Sequence, residues 1–180
     1  MQSDQSLVIE FQHSTHKEQP YTVLLKRHQQ KVYYQIKRML QNQMDADDVA
    51  QQVWIKVWNK LDGFKMESEF STWLFRIAYN ETLNFIQKQK NHSRMNVSSE
   101  ADDYALAATV NDAPKSIQIQ IALDQAVRQL PEKQRFVFML RYFDELNYEK
   151  IASITGTSVG GAKANYHQAI KKMQEILKPD

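Results

Sequence analysis

The stretch from Asn147 to Leu177, NYEKIASITGTSVGGAKANYHQAIKKMQEIL, restricts the possible folds more than any other. Its spacing predicts two helices joined by a tight corner. The first runs from about Tyr148 to Ile154, with Ile151, Ala152 and Ile154 as its apolar positions. Thr155-Gly156 ends it, because glycine enters the left-handed conformation that closes a helix without a steric cost. Thr157 or Ser158 is then placed to cap the second helix by accepting a hydrogen bond from an early backbone N–H. That helix carries Ala162, Tyr166, Ile170, Met173 and Leu177 at helical spacing, with Lys163, Asn165, His167, Lys171 and Lys172 mostly between them. This is the pattern of a helix-turn-helix, whose second helix enters the DNA major groove. A helical hairpin buried in an ordinary core would satisfy the same spacing. The lysines favour DNA: Lys163, Lys171, Lys172 and Lys178 are opposed only by Glu175 and Asp180.

The rest of the chain fits an all-α protein. Four glycines and four prolines in 180 residues leave few breaks, and 3.6-residue periodicity dominates. The length suits one large domain or two small ones. There is no cysteine, so disulfides and thiolate metal sites are excluded. No apolar run approaches the roughly 18 residues of a membrane span. Leu7-Val8-Ile9 is too short for a signal-peptide core and has no basic residue before it, so a cytoplasmic location is expected. Net charge is only +2, but its distribution is uneven. Arg76, Lys88, Lys90 and Arg94 are opposed by Glu81 alone, whereas Met95 to Pro114 holds Glu100, Asp102, Asp103 and Asp112 and no cation. A basic helix, an acidic tether and a basic terminal helix describe two helical domains joined by a flexible linker.

Taken in order, residues 1–19 are polar and show no sustained period, which predicts a mobile tail. His13 and His16 lack a third ligand and make a poor metal site. A helix is expected over Tyr21–Leu40, with Val23, Leu24, His28, Val32, Ile36, Met39 and Leu40 inward. Asp45 is placed to cap the next, Ala46 to about Leu61. On that helix Val49, Ala50, Val53, Val57 and Leu61 share one side, with Trp54 beside them. The opposite side carries Asp48, Gln51, Gln52 and Asn59, with Ile55 in its middle and Trp58 at its edge. An exposed Ile among polar groups is either incidental or the centre of a partner face, and the helical wheel leaves both open. After the loop LDGFKMES, Ser68 or Ser71 is expected to cap a helix reaching about Lys90. Its aromatics interleave with Arg76, Tyr79, Asn80, Asn84 and Lys88, a mixture suited to single-stranded nucleic acid, although most of the aromatics are expected in the core. Asn91 to about Lys115 reads as a linker with a weak helical segment at Tyr104–Ala108. Two further helices, one carrying Ile117 to Leu130 and one beginning at Pro131, complete a four-helix C-terminal domain.

Three stretches, DADDVAQQVWIKVW, FSTWLFRIAYNETLNF and LPEKQRFVFMLRYFDELNYEKIASITGTSVGGAKANYHQAIKKM, resemble the extracytoplasmic-function group of bacterial RNA polymerase sigma factors. The resemblance spans about residues 20–90 and 117–178. It implies domains at 20–92 and 117–180, with the linker at 93–116 between them. It also implies that Asp48, Gln51, Gln52, Ile55 and Trp58 face the β′ clamp helices of core polymerase. Phe64, Lys65 and Phe70 would lie in the loop that holds a flipped −10 base, and Arg76, Asn80, Asn84 and Lys88 along the melted strand. Ser158, Lys163, Asn165, His167 and Lys171 would face the −35 element. Core polymerase (with the β flap as a second contact), promoter DNA and an anti-sigma factor are the partners such a chain implies. No cofactor, metal or enzymatic chemistry is implied. Departures bear on specificity: Gly161-Ala162 replaces the usual Thr and branched anchor, the consecutive Gly160-Gly161 loosens the first turn, and Ala164-Asn165 and His167-Gln168 stand where arginines are common. A free-standing helix-turn-helix regulator, or a polymerase-binding regulator that does not initiate, is the alternative. The first leaves the Asp48–Trp58 face without a role.

Overall fold

A computed structural model describes residues 2–40, 42–95 and 114–178. The described residues contain eight α-helices and no strand. These are α1 (Asp4–His13), α2 (Glu18–Met39), α3 (Gln43–Lys60), α4 (Phe70–Met95), α5 (Lys115–Arg128), α6 (Glu132–Tyr142), α7 (Tyr148–Thr155) and α8 (Val159–Ile176), with a 3-10 turn at Leu61–Gly63 after α3. The chain packs as two compact units, residues 1–88 with 152–157 and residues 89–151 with 158–180. Residues 96–113 of the linker expected at 93–116, with its Tyr104–Ala108 segment, lie outside the described residues. At its edges the helices run further than expected, α4 to Met95 and α5 from Lys115.

The first unit corrects the expectation of a mobile tail. Ser3 accepts a hydrogen bond from Ser6 N and opens α1, and Leu7, Val8 and Phe11 are buried. These three side chains occupy positions i, i+1 and i+4, a stripe just wide enough for a ten-residue helix to dock against α2. Asp4 is ion-paired with Arg27 and bonded to His28 Nε2 at 2.7 Å, which ties the start of α1 to α2. Phe11, Tyr21 and Trp58 form an edge-to-face cluster with centroids 4.9–6.2 Å apart. The Tyr21 hydroxyl donates to the Trp54 carbonyl at 2.6 Å, and burial pushes its pKa up to about 12. Val23 points outward, 43% exposed, rather than inward as the wheel suggested. Helix α3 is capped by Asn42, whose Oδ1 accepts from Met44 N, so it begins three residues before the expected start and Asp45 lies within its first turn. The start of α4 at Phe70 likewise places Ser71 inside the helix and Ser68 two residues before it.

In the second unit, α6 is enclosed. Phe136, Val137, Phe138, Met139 and Leu140 are five consecutive buried residues, as expected of a helix packed on every side. Helix α8 lies against it, with Phe138 stacked on Tyr166 and Gln134 bonded to Gln168. Pro131 stands just before α6 rather than inside it, and its carbonyl accepts from Arg135 N.

Candidate functional site

Three exposed surfaces hold the residues singled out from sequence. The first is the outer side of α3. Asp48, Gln51, Gln52 and Ile55 are all exposed there, Ile55 by 48%. These residues fall at spacings of three and four, which put them on one side of a helix. Trp58 differs from them. It is half-buried, and its ring packs edge-on against Phe11 and Tyr21, so most of its contact area already serves the core.

The second surface is the loop 64–69 with the outer row of α4. Phe64 and Phe70, expected to meet a base, are 8% and 4% exposed. Their rings pack with Trp73, Phe64 at 4.8 Å and Phe70 at 5.9 Å, and Phe70 also meets His28 edge-on. This corrects the expectation: the two rings are packed into an aromatic floor rather than exposed for stacking. Over that floor lies a cavity of about 660 Å³ lined by Met66, Glu67, Ser68, Glu69 and Ser71 from the loop and helix start, and by Asp4, Gln5 and Arg27. Its lining carboxylates outnumber its cation, and Arg27 is already paired with Asp4. Such a pocket disfavours a phosphate and suits an uncharged, hydrogen-bonding ligand. Met66 has φ +56°, a left-handed conformation uncommon for a side chain of this size. Lys65 is exposed at the loop. Arg76, Asn80, Asn84 and Lys88 are all exposed and recur every four residues, forming one polar row along α4. Tyr79, read with that row, is buried instead.

The third surface is α8. Gly156 has φ +68° and makes the corner, and Thr157 N donates to the Ala152 carbonyl at 3.1 Å. The Ser158 hydroxyl accepts from Gly161 N at 3.0 Å, so it caps the helix. Ala162, Ala169 and Met173 anchor α8 inward. Lys163, His167 and Lys171 are exposed and spaced by four, so they share a row. The Lys163 ammonium lies 5.7 Å from the centre of the Tyr148 ring. Asn165 leaves that row. Two residues on from Lys163 means about 200° around the helix; the side chain is half-buried and its Nδ2 donates to the Gly161 carbonyl at 2.9 Å.

Sequence reasoning missed α1 and its contribution to the cavity through Asp4 and Gln5, and did not connect Arg27 with it. The signal was present in Ser3, Leu7, Val8 and Phe11, but ten residues carry too little periodicity to stand out. Among the described residues, no group of three His, Cys, Asp or Glu side chains could hold a metal ion, and no helix is long and apolar enough to cross a membrane.

The described residues thus combine a helix-turn-helix with an exposed polar row beside a loop cavity, an all-helical arrangement whose sequence matches two family models of the sigma-70 class. Sigma-70 region 2 matches residues 24–92 and Sigma-70 region 4 matches residues 120–173. The ECF RNA polymerase sigma factor SigW of Bacillus subtilis is 31% identical over 82% of this chain and 83% of its own. The ECF RNA polymerase sigma-E factor of Escherichia coli is 30% identical over 98% of this chain and 95% of its own. The chain belongs to the extracytoplasmic-function sigma factors and directs RNA polymerase to promoters. Among solved structures, the sigma factor RpoE in complex with the anti-sigma factor NepR, from Bartonella quintana, shares the fold with a TM-score of 0.69 at 23% identity, over 89% of this chain and 98% of that one. CnrH in complex with the cytosolic domain of CnrY gives a TM-score of 0.72 at 19% identity, over 98% and 97%.

Proposed function

We propose that the first unit binds core polymerase through the Asp48, Gln51, Gln52 and Ile55 face and opens the −10 element at the α4 surface. The second unit then reads the −35 element through Lys163, His167 and Lys171. The observation that carries this reading is the continuity of the second surface. A cavity whose lining disfavours phosphate opens at the start of α4, and the exposed row from Arg76 to Lys88 continues along the same helix. The cavity would take the unpaired base while the row runs beside the strand. Melting then needs no covalent chemistry. Holding an unpaired base shifts the closed–open equilibrium by the preference for the open form. Working on promoters with polymerase places the protein in the cytoplasm. The NepR and CnrY complexes support an anti-sigma factor as a further partner.

The test is transcription in vitro with core polymerase on fragmented genomic DNA. Discrete run-off products that depend on the protein are expected. Ile55→Glu should abolish them by weakening core association. Lys163→Ala should weaken duplex binding and reduce the slope of log affinity against log salt by about 0.9. Asn80→Ala should leave duplex binding intact, impair opening, and recover on a pre-melted −10 bubble. Core binding without any transcript would make the chain a non-initiating regulator. Duplex binding without core binding would make it a free-standing one.

A further inference from the structure

We infer that Gln12 of α1 is a positioning residue for strand opening. It fixes the turn from which the cavity loop departs, and so sets the shape of the base-holding cavity. The inference rests on the reading of that cavity as the −10 base site. Gln12 Nε2 lies 3.0 Å from the Leu61 carbonyl, 3.2 Å from that of Asp62 and 3.0 Å from that of Phe64. All three partners are acceptors, so the amide must point its NH2 end at them. Two N–H groups serve three carbonyls, so at least one bond is shared. The contacts cross about fifty positions of the chain and grip the whole 3-10 turn, Leu61–Gly63, together with the first residue after it. Lys17 holds the same turn from outside through Asp62 at 2.6 Å.

The backbone beyond the turn explains why such a grip is needed. Phe64 goes into the aromatic floor, Met66 adopts its left-handed conformation two residues later, and residues 66–69 form the wall of the cavity. A side chain held at positive φ persists only where its surroundings over-determine it. Downstream, Phe70 is buried and fixes the far end. Upstream, Gln12 fixes the near end. Helix α1 also supplies the wall opposite the loop, through Asp4 and Gln5. One short helix therefore sets both sides of the opening.

Gln12→Glu keeps the size and shape of the side chain and removes every donor, turning an oxyanion toward three carbonyls. Gln12→Lys supplies three N–H donors; Gln12→Ala supplies none. Open-complex formation is read from 2-aminopurine fluorescence in the non-template −10 strand, with wild-type and variant holoenzymes on a promoter recovered from the run-off experiment. Gln12→Glu should lower the yield of open complexes about tenfold, the loss expected of a charge-sensitive hydrogen-bond set. Core association and closed-complex affinity should stay within about twofold of wild type, and Gln12→Lys should recover much of the yield. If Gln12→Glu destabilises the first unit, the pair Gln12→Ala and Gln12→Lys decides, with the lysine variant opening more. Equal opening by wild type, Gln12→Ala and Gln12→Lys overturns the inference. So does a loss of core association in parallel with the loss of opening. Ser68→Trp, which fills the cavity, separates this from the reading beneath it. If that variant opens as well as wild type, the cavity is not the base site and both ideas fall. If it blocks opening while all Gln12 variants open normally, only the role of Gln12 falls.

Discussion

The two surfaces proposed to face DNA are held in place by contacts of different reach. The corner of the helix-turn-helix and the first turn of α8 are set by neighbours: Ser158 on Gly161, Asn165 on Gly161, Thr157 on Ala152, and Gly156 at the corner. None of these spans more than five residues. The cavity at the start of α4 is set by Gln12 on residues 61–64 and by Asp4 on Arg27 and His28, which span more than twenty to about fifty. The corner's own geometry tolerates change elsewhere in the chain, although the body of α8 still rests on α6 through Phe138 and Gln134. The cavity is answerable to residues far away in sequence.

The sharpest way to break this contrast is to remove a distant anchor. Phe11→Ala deletes a ring that is 1% exposed and packed on Trp58, and should cost the first unit about 3–5 kcal/mol. The chain's three tryptophans, Trp54, Trp58 and Trp73, all lie in the first unit, so fluorescence during urea unfolding reports that unit alone. A midpoint that does not move would show α1 to be dispensable. Next comes the local corner. No atom lies within 4 Å of where a Cβ on Gly156 would stand, so Gly156→Ala should cost only the left-handed conformation, about 1–2 kcal/mol. Gly156→Asn should cost less, and thermal unfolding by circular dichroism measures both.

A smaller effect of opposite sign is expected at Gly160. A Cβ there would meet only the Ser158 hydroxyl, at 4.0 Å, so Gly160→Ala should raise the stability of α8 by up to about 1 kcal/mol. Slower amide exchange across α8 would show it, whereas unchanged exchange would mean the first turn is already held by other means and faster exchange that the expectation is wrong. The last effect, a pH dependence absent at neutral pH, concerns Tyr21. Its pKa is raised from 10.0 to about 12 in the folded protein, so the neutral hydroxyl contributes stability that is complete below pH 10 and lost as the pH climbs through 12. The stability difference between wild type and Tyr21→Phe should shrink over that window. A constant difference would mean that folding does not raise the Tyr21 pKa.

The same contrast of reach explains what could be read from sequence. The corner at Gly156, the cap at Ser158 and the inward Ala162 and Met173 can be derived from spacing, because their causes lie within a turn or two. Even here Asn165 was misplaced by resemblance, although two residues on a helix put it nearly opposite Lys163. The row on α4 was legible for the same reason, since 76, 80, 84 and 88 recur with the helix. Phe64 and Phe70 were not, because burial in a loop is decided by Trp73 and His28 and leaves no period. Helix α1 escaped because its stability is tertiary: three apolar side chains among polar ones mean little until α2 is there to cover them. Asp45 was read as the cap of α3, but Asn42 opens that helix three residues earlier.

The grip of Gln12 also carries a consequence for how the chain is made. Helix α1 is synthesised before α2, and its apolar face can dock once that helix has emerged from the ribosome. The three carbonyls at 61–64 arrive about fifty residues later, which at ordinary elongation rates is roughly 3–10 s. For that interval the amide of Gln12 faces water, and the docked hairpin waits with its anchor unfilled. The cavity can take its shape only after the turn has been synthesised and has found a helix that folded before it. A slow codon run far enough beyond residue 64 for the turn to have cleared the ribosome should therefore favour correct seating, before later segments compete for the loop.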